Sequence, residues 1–143
     1  MCMKKTTLCP LLLLLGLVGC AGKSLPDPAA TFGEQVTRGM ALFVEHCSNC
    51  HGSDGMGTDR APPVVGSQAL PLDPPPGAEV RNVQFRTALD VFQWVRVNMP
   101  GDAPASLEDQ EYVEILAFDL KANGVELPQP LDATNANDVV LHP

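Results

Sequence analysis

Cys47-Ser48-Asn49-Cys50-His51 is the most informative stretch of this 143-residue chain. Its C-x-x-C-H spacing is typical of the covalent attachment of a c-type haem. Two thiols on one helical turn can each bond a vinyl group of the same porphyrin, and the imidazole that follows can bind the iron. The pentad therefore predicts one covalent haem c, with Cys47 and Cys50 as the attachment residues and His51 as an iron ligand.

Two other kinds of site contain a C-x-x-C pair. A structural zinc site needs about four ligands, usually cysteine and histidine. A thiol-redox pair is expected beside a strand–helix–strand pattern, and the sequence shows no such pattern. Both alternatives therefore fit the chain less well than haem attachment.

Residues 1–19 have the pattern of a secretory signal peptide. Lys4 and Lys5 supply its positive charge, and its apolar core of about ten residues is half of the roughly twenty that span a bilayer as a helix. The core ends in Leu17-Val18-Gly19-Cys20, which resembles the lipobox of bacterial lipoproteins. The resemblance implies cleavage before Cys20, lipid on its thiol and amino group, and an exported protein anchored to a bacterial membrane and facing the periplasm. Whether this is the inner or the outer membrane stays open, as does a plain secretory signal cut nearby, after Ala21 for instance.

On this interpretation every cysteine has a role. Cys2 and Cys9 leave with the signal peptide, Cys20 takes the lipid, and Cys47 and Cys50 take the haem. No cysteine is left to complete a zinc site or to form a disulfide, although an exported protein is free to form one.

Length and charge limit the function further. Cleavage before Cys20 leaves 124 residues, enough for one domain. Loss of Lys4 and Lys5 leaves seven basic and 17 acidic residues, a net charge of −10. Such a surface argues against binding nucleic acid or anionic lipid headgroups and suits a redox protein partner with a basic patch. Residues 20–31, rich in proline and alanine, are predicted to form a lipidated tether.

The remaining pattern predicts three helices and no strand. The first begins at the capping box Thr31-Phe32-Gly33-Glu34 and ends at the haem pentad. The second begins at Thr87 and runs toward Met99, where Pro100-Gly101 stops it. The third begins at Ser106 and ends at Gly124. Residues 68–82 contain four prolines and are predicted to form a long loop packed over another part of the molecule. The fold class is therefore all-α.

Four ordered features resemble those of class I c-type cytochromes, over Thr31 to Gly124. They are the pentad, a Pro-x-Val/Leu-x-Gly stretch, a Met-Pro pair, and a final helix of the form Leu-x-Asp-x-x-Tyr-x-x-Ile-Leu-Ala-Phe. The last three are Pro62-Pro63-Val64-Val65-Gly66, Met99-Pro100 and Leu107 to Phe118. The resemblance implies a small cytochrome c fold over residues 32–124. It also implies a close crossing of the first and last helices, with Gly39 and Phe43 against Tyr112 and Leu116. Residues 125–143 carry Pro128, Pro130 and several Asn and Asp and are predicted to form an extended polar tail, which either wraps the domain or contacts a partner.

The resemblance further implies that Met99 is the sixth iron ligand. Two other methionines lie beyond the signal peptide. Met40 falls on the apolar stripe of the first helix, where a core role is expected. Met56 follows His51 by five residues, too close to reach the opposite face of the ring. Met99 is far along the chain and ends a helix, as the family position does.

The surroundings of the haem are predicted in less detail. A ligating imidazole usually donates its other N–H to a carbonyl, and the resemblance implies Pro62 as the acceptor, with Pro63 leaving the register open by one residue. Trp94 is expected either to bond a haem propionate or to be core, and His46 and His142 are not expected to be ligands. The predicted apolar shell is Val64, Val65, Phe92, Val95 and Leu116, and the candidate propionate partners are Arg81, Arg86 and Arg96.

Three functions from different classes remain. The first is electron transfer by a membrane-tethered single-haem carrier that has no catalytic residues and no small-molecule substrate. The second is a dedicated cytochrome subunit of a periplasmic dehydrogenase of the quinoprotein type, because the segment around Asn98-Met99-Pro100 resembles cytochromes with such partners. The third is a haem sensor or peroxidase, which needs an open sixth position and is therefore opposed by Met99.

Overall fold

Five helical segments make up the regular structure of residues 27–142, the part of the chain that this computed structural model describes. The predicted signal peptide, Cys20 and the first part of the predicted tether lie outside the described residues. Residues 27–142 contain no strand, only the single bridge pair Thr87–Val140. The predicted all-α class is therefore confirmed. The segments are α1 (Phe32–His46), α2 (Ser48–His51), α3 (Ala88–Asn98), α4 (Asp109–Ala122) and a 3-10 helix (Ala136–Asp138).

Helices α1 and α3 begin at the predicted capping boxes. Thr31 Oγ1 accepts a hydrogen bond from the Glu34 backbone N–H at 3.1 Å, and the Glu34 carboxylate accepts one from the Thr31 N–H at 3.2 Å. Thr87 and Asp90 form the same reciprocal pair at the start of α3. These contacts satisfy N–H groups that have no partner within the first turn of a helix.

Helix α4 begins later than predicted. Its N-cap is Glu108, whose N–H donates to the Glu111 carboxylate at 2.9 Å, so the predicted start at Ser106 is wrong by two residues. The cause is local: the reciprocal capping pair forms between Glu108 and Glu111, two residues beyond the Ser106 pattern, and the Leu107 N–H donates to the Tyr112 hydroxyl at 3.4 Å. The end of α4 is as predicted, because Gly124 has a φ of +87°, a backbone conformation that favours glycine at this position.

A close crossing of α1 and α4 forms the centre of the molecule. Gly39 faces the α4 backbone so closely that a β-carbon there would lie 1.8 Å from the Glu114 carbonyl oxygen. Phe43 packs against Phe118, with ring centroids 5.1 Å apart. The predicted crossing is thus confirmed at Gly39, while the α4 residues found opposite Gly39 and Phe43 in these contacts are Glu114 and Phe118.

Met40 is not in the core. It is 53% exposed, so the core role expected for it is wrong. The buried positions of α1 are Phe32, Gln35, Gly39 and Phe43. Because each residue turns a helix by about 100°, Met40 lies well off this stripe although it follows Gly39 directly.

The carboxyl-terminal tail packs against the helices. Leu131 is only 2% exposed, and its backbone forms two hydrogen bonds with the buried Gln35 amide, at 2.7 and 2.8 Å. Further along, the Leu141 N–H donates to the Arg86 carbonyl at 2.8 Å. The tail that the sequence predicts to be extended and polar is therefore joined to α1 and to the start of α3. Among residues 27–142, no helix is long and apolar enough to cross a membrane.

Gly39→Ala is predicted to destabilise the protein. The added methyl group has no space against the α4 backbone, so the two helices must separate, at a cost of about 1–3 kcal/mol. Urea unfolding of the haem-loaded protein measures the change.

Gly33→Ala is the matched control. Gly33 lies on the same helix as Gly39, but a β-carbon at Gly33 would have no neighbouring atom within 4 Å. It is expected to leave the free energy of unfolding unchanged or to raise it by up to about 1 kcal/mol. Equal unfolding midpoints for the two variants would contradict the close crossing.

Candidate haem-binding site

The pentad occupies the junction of α1 and α2. Cys47 ends α1, with its N–H donating to the Phe43 carbonyl at 2.8 Å, and its own carbonyl accepts from Cys50 and His51 at 3.1 and 3.0 Å. These bonds form the single turn of α2, which Gly52 ends with a φ of +81°. The structure thus places the two cysteines and the histidine on one helical turn, the arrangement expected from their spacing.

The four predicted haem-site residues line one cavity. Cys47, Cys50 and His51 lie along it, and Met99, 48 residues later in the chain, lines it as well. The volume of the cavity is about 1170 Å³, above the range of roughly 300–1,000 Å³ that is usual for small-molecule pockets. The space and the donor set fit a porphyrin. Of the three methionines among residues 27–142, only Met99 lines the cavity.

The ring of His51 is oriented by the loop that follows it. Its Nδ1 donates to the Pro62 carbonyl at 2.7 Å, which resolves the predicted register in favour of Pro62. This bond leaves Nε2 as the ring nitrogen available to a metal. The acceptor loop is itself tied to the pentad side of the cavity, because the Val64 N–H donates to the Gly55 carbonyl at 2.8 Å.

The environment of the thiols argues against a redox pair. Burial raises the pKa of the Cys47 thiol to about 12, with smaller contributions from Asp119 and Cys50. Reactive dithiols instead have lowered thiol pKa values. Nor do residues 27–142 contain a cluster of three or more histidine, cysteine, aspartate or glutamate side chains able to hold a metal ion. The zinc and thiol-redox alternatives therefore find no support in the described part of the chain.

Asp119 is a site residue that sequence reasoning missed. It lines the cavity from α4, is only 7% exposed, and its Oδ1 has no hydrogen-bond partner among residues 27–142. Burial raises the pKa of this carboxyl well above its ordinary value. The available signal was a charged residue between Phe118 and Leu120, inside an otherwise apolar stretch of the last helix.

The apolar walls match the prediction in part. Val64, Val95 and Leu116 line the cavity, whereas Val65 and Phe92 do not. Phe92 is turned away, toward the buried tail residues Leu131 and Ala136. Trp94 lines the cavity and packs edge-on against Phe85, with centroids 5.8 Å apart.

The three candidate arginines behave differently. Arg81 lines the cavity, but its Nη2 donates to the Pro71 and Leu72 carbonyls at 2.5 and 2.7 Å. These bonds stabilise the proline-rich loop, residues 68–82. Arg86 bonds Gln84 and Arg96 pairs with Asp109, and neither lines the cavity. The proline-rich loop itself forms one wall of the cavity, as the predicted packing requires.

Three further cavity residues were not anticipated. Arg60 lines the cavity and donates to the Asn49 side chain at 3.1 Å. His46, which is not expected to be a ligand, also lines it. His142 reaches it from the tail, where its Nε2 lies 2.6 Å from the Leu70 carbonyl oxygen. No local pattern predicts the position of His142, because the return of the tail depends on tertiary packing.

Comparison with known proteins identifies the domain. A family model described as cytochrome c oxidase, cbb3-type, subunit III, matches residues 34–118. No curated protein sequence matches the chain. The match begins within the first turn of α1 and ends in α4. It therefore contains the pentad, Met99 and residues 62–66, called the Pro62 loop below.

Two solved structures are similar to the chain. One is the sulfane dehydrogenase SoxCD from Paracoccus pantotrophus, with 25% identity, a TM-score of 0.58, and coverage of 87% of this chain and 68% of that chain. The other is the thiosulfate dehydrogenase TsdBA from Marichromatium purpuratum, with 30% identity, a TM-score of 0.40, and coverage of 59% and 17%. The first of these likenesses extends over most of the described fold.

Asp119→Asn is predicted to stabilise the protein increasingly as the pH rises. The folded carboxyl keeps its proton because its pKa is raised, while the unfolded carboxyl ionises above its ordinary value of 3.8. The wild type therefore loses stability as the pH rises from this value toward the folded pKa, and asparagine removes that loss. Urea midpoints of the haem-loaded protein at pH 4.5 and 7.5 measure the difference.

Asp132→Asn is the control of opposite sign. Hydrogen bonds from Thr134 lower the pKa of the Asp132 carboxyl, so its contribution is present at neutral pH and is lost on acidification. Its removal is therefore expected to destabilise more at pH 7.5 than at pH 4.5. An Asp119→Asn advantage that does not grow with pH would contradict a protonated carboxyl at this position.

Proposed function

Because the chain belongs to the c-type cytochrome family described as cytochrome c oxidase, cbb3-type, subunit III, we propose that it is a carrier of single electrons. Its haem c is attached at Cys47 and Cys50 and ligated by His51 and Met99. The observation that carries this proposal is that these four side chains line one cavity of about 1170 Å³.

The two candidate iron ligands favour a carrier over an enzyme. The bound haem supplies an iron that alternates between its ferrous and ferric forms. His51 offers Nε2 because Nδ1 is engaged by Pro62, and Met99 offers a soft, neutral sulfur that favours ferrous iron. If His51 and Met99 both bind the iron, they would leave no position for oxygen, peroxide or a gas ligand.

The walls of the cavity support the same role. Val64, Val95 and Leu116 line the cavity, and an apolar lining favours the less charged, reduced centre. Asp119 is neutral when protonated, so it adds no fixed negative charge that would oppose reduction. These features favour a higher reduction potential than a solvated site with two nitrogen ligands would have.

The proposed partners are redox proteins with a basic docking patch. The mature chain carries a net charge of −10 on the predicted cleavage. The exposed carboxylates Asp73, Glu79 and Asp102 are among the residues that line the cavity. Negative charge beside the haem site would orient a basic partner toward it and raise the association rate at low ionic strength.

A second candidate function is that of a cytochrome subunit of an exported dehydrogenase. The observation that favours it is the likeness to the sulfane dehydrogenase structure, at a TM-score of 0.58 and 25% identity. Purification of the native protein from its own membranes separates the two functions. A dedicated subunit co-purifies with an enzyme in a fixed ratio, and a mobile carrier does not.

We also propose export and anchoring through a lipid on Cys20. The support is the Leu17-Val18-Gly19-Cys20 sequence, which precedes the described residues. Six residues separate Cys20 from Asp27 in the sequence, and the seven steps between their α-carbons span at most about 25 Å even when fully extended. Asp27 is held at the domain, because its carbonyl accepts from Arg38 Nη1 at 2.5 Å. The haem domain would therefore stay close to the membrane surface.

Met99→Ala is predicted to abolish the weak sulfur-to-iron charge-transfer band of the oxidised protein. Loss of the soft sulfur donor also lowers the reduction potential and opens the iron to carbon monoxide. Absorption spectra, redox titration and carbon monoxide binding measure the three effects.

Met56→Ala is the matched control, because Met56 is exposed and does not line the cavity. It is expected to change none of the three measurements. Rapid binding of carbon monoxide by the unmodified reduced protein would contradict the carrier proposal and favour a sensor or peroxidase.

Cys20→Ser is predicted to prevent lipid attachment, leaving the protein unprocessed by the lipoprotein pathway or released as a soluble form. Mass spectrometry of the mature amino terminus and fractionation of the cells measure the two outcomes. A wild-type terminus that is unlipidated, for example one that begins at Gly22, would refute the anchor and leave the haem assignment intact.

A further inference from the structure

We propose that Tyr112 in α4 and Asn123, the C-cap of α4, are positioning residues for the two proposed iron ligands. Tyr112 holds the backbone of Met99, and Asn123 holds the loop whose carbonyl orients His51. This inference rests on the proposed function, since it takes His51 and Met99 as the iron ligands. It makes α4 the common support of both sides of the haem site.

Tyr112 fixes Met99 through the main chain. Its side chain is buried, only 3% exposed, and its hydroxyl donates to the Met99 carbonyl at 2.6 Å. The Met99 N–H donates to the Val95 carbonyl at 2.8 Å. Both backbone polar groups of Met99 are thus engaged, one by α3 and one by α4. The position of the Met99 α-carbon, and with it the reach of the sulfur into the cavity, is set by these two helices.

The hydroxyl of Tyr112 also holds the chain beyond Met99. It accepts from the Leu107 N–H at 3.4 Å, while the Ala105 N–H donates to the Met99 carbonyl at 3.2 Å. The loop between α3 and α4 is therefore closed on itself around one oxygen atom of Met99. Removal of the hydroxyl leaves this loop with fewer bonds to α4 and frees the Met99 segment to move.

Asn123 fixes the opposite side through a two-point contact. Its Nδ2 donates to the Val64 carbonyl at 2.8 Å, and its Oδ1 accepts from the Gly66 N–H at 2.9 Å. Nδ2 also donates to the Asp119 carbonyl at 2.8 Å, which holds the amide against its own helix. The side chain therefore connects the end of α4 to a loop 57 to 59 residues earlier in the chain.

This loop is the one that orients His51. Pro62, two residues before Val64, accepts the His51 Nδ1 proton at 2.7 Å. A carbonyl partner fixes the tautomer and ring plane of a ligating imidazole and raises its basicity. A shift of the loop that lengthens this bond would weaken His51 as a donor to oxidised iron. The effect of Asn123 on the metal is thus transmitted through Pro62.

The spacing of the two residues suits one support. Tyr112 and Asn123 are 11 residues apart, which is about three helical turns, so their side chains leave α4 on the same side. They are separated along the helix axis by about 16 Å. Between them lies Asp119, which also lines the cavity.

The test uses the haem-loaded full-length protein and two readouts, one for each ligand. Tyr112→Phe removes only the hydroxyl. It is expected to increase the fraction of iron without sulfur ligation, or the rate of carbon monoxide binding, by roughly two- to tenfold, the effect of one lost hydrogen bond. The sulfur-to-iron band and carbon monoxide kinetics measure this change.

Asn123→Ala is expected to act on the histidine side. The hydrogen exchange of the His51 Nδ1 proton, measured by NMR, is expected to become roughly two- to tenfold faster. The reduction potential is expected to rise, because an imidazole with a weakened carbonyl bond is a poorer donor to ferric iron. Asn123→Asp keeps the acceptor for Gly66 and loses the donor to Val64, so it is expected to fall between the wild type and Asn123→Ala.

Asn135→Ala is the matched control for a merely structural role. Asn135 makes the same kind of two-point contact within the tail, with Nδ2 donating to the Pro130 carbonyl at 2.8 Å and Oδ1 accepting from the Asp132 N–H at 2.9 Å. It is expected to lower the free energy of unfolding without changing the band, the exchange rate or the potential.

The possible results separate this inference from the proposed function. A band that survives Met99→Ala would refute the ligand assignment itself. A different result would overturn the positioning roles alone. In that result Met99→Ala loses the band, but Tyr112→Phe and both Asn123 variants have the same band, carbon monoxide binding, proton exchange and reduction potential as Asn135→Ala. If Asn123→Ala does not accumulate with haem, an unchanged exchange rate in Asn123→Asp would overturn the role of Asn123.

Discussion

The close approach of α1 and α4 at Gly39 is the constraint on which the haem site depends. Only glycine fits there, because a β-carbon at this position would lie 1.8 Å from the Glu114 carbonyl oxygen. Helix α1 ends in the pentad, so the angle at which it crosses α4 sets where Cys47, Cys50 and His51 stand. Helix α4 carries Asp119 into the same cavity and holds the Pro62 loop and the Met99 backbone by side-chain hydrogen bonds. A change in the crossing would therefore move both walls of the site.

Helices form part of the wall of the cavity, and a segment without regular structure forms another part. One wall consists of the proline-rich loop, which has no helix or strand and is braced by the Arg81 guanidinium against its own carbonyls. Arg81 also lies 3.7 Å from the centre of the Phe85 ring, a cation–π distance. Such a loop supplies apolar cover without adding a helix. The positions of His51 and Met99 are determined by the short turn of α2 and by α3 and α4.

Much of this arrangement could be predicted from sequence because its signals are local. The pentad, the Thr31 and Thr87 capping boxes and Gly124 each act within a few residues, and the structure shows the helix boundaries that the caps predict. The late start of α4 was missed because Glu108 and Glu111 form a second capping pair two residues beyond the one that Ser106 suggests. The core role predicted for Met40 was wrong because the type of residue alone does not show whether an apolar side chain lies on the buried face of a helix or beside it. Asp119, the return of the tail through Leu131, and the contact of Asn123 with the Pro62 loop depend on residues distant in sequence, for which a single chain gives no pattern.

The proposed function depends first on covalent attachment of a haem at Cys47 and Cys50, with His51 and Met99 as the iron ligands. Its most direct test is tandem mass spectrometry of a proteolytic peptide that spans residues 47–51, taken from protein produced with the c-type haem maturation machinery. We expect a peptide that carries one haem through two thioether bonds, at Cys47 and at Cys50. A peptide with both thiols free, from protein whose haem extracts into acidified organic solvent, would contradict it.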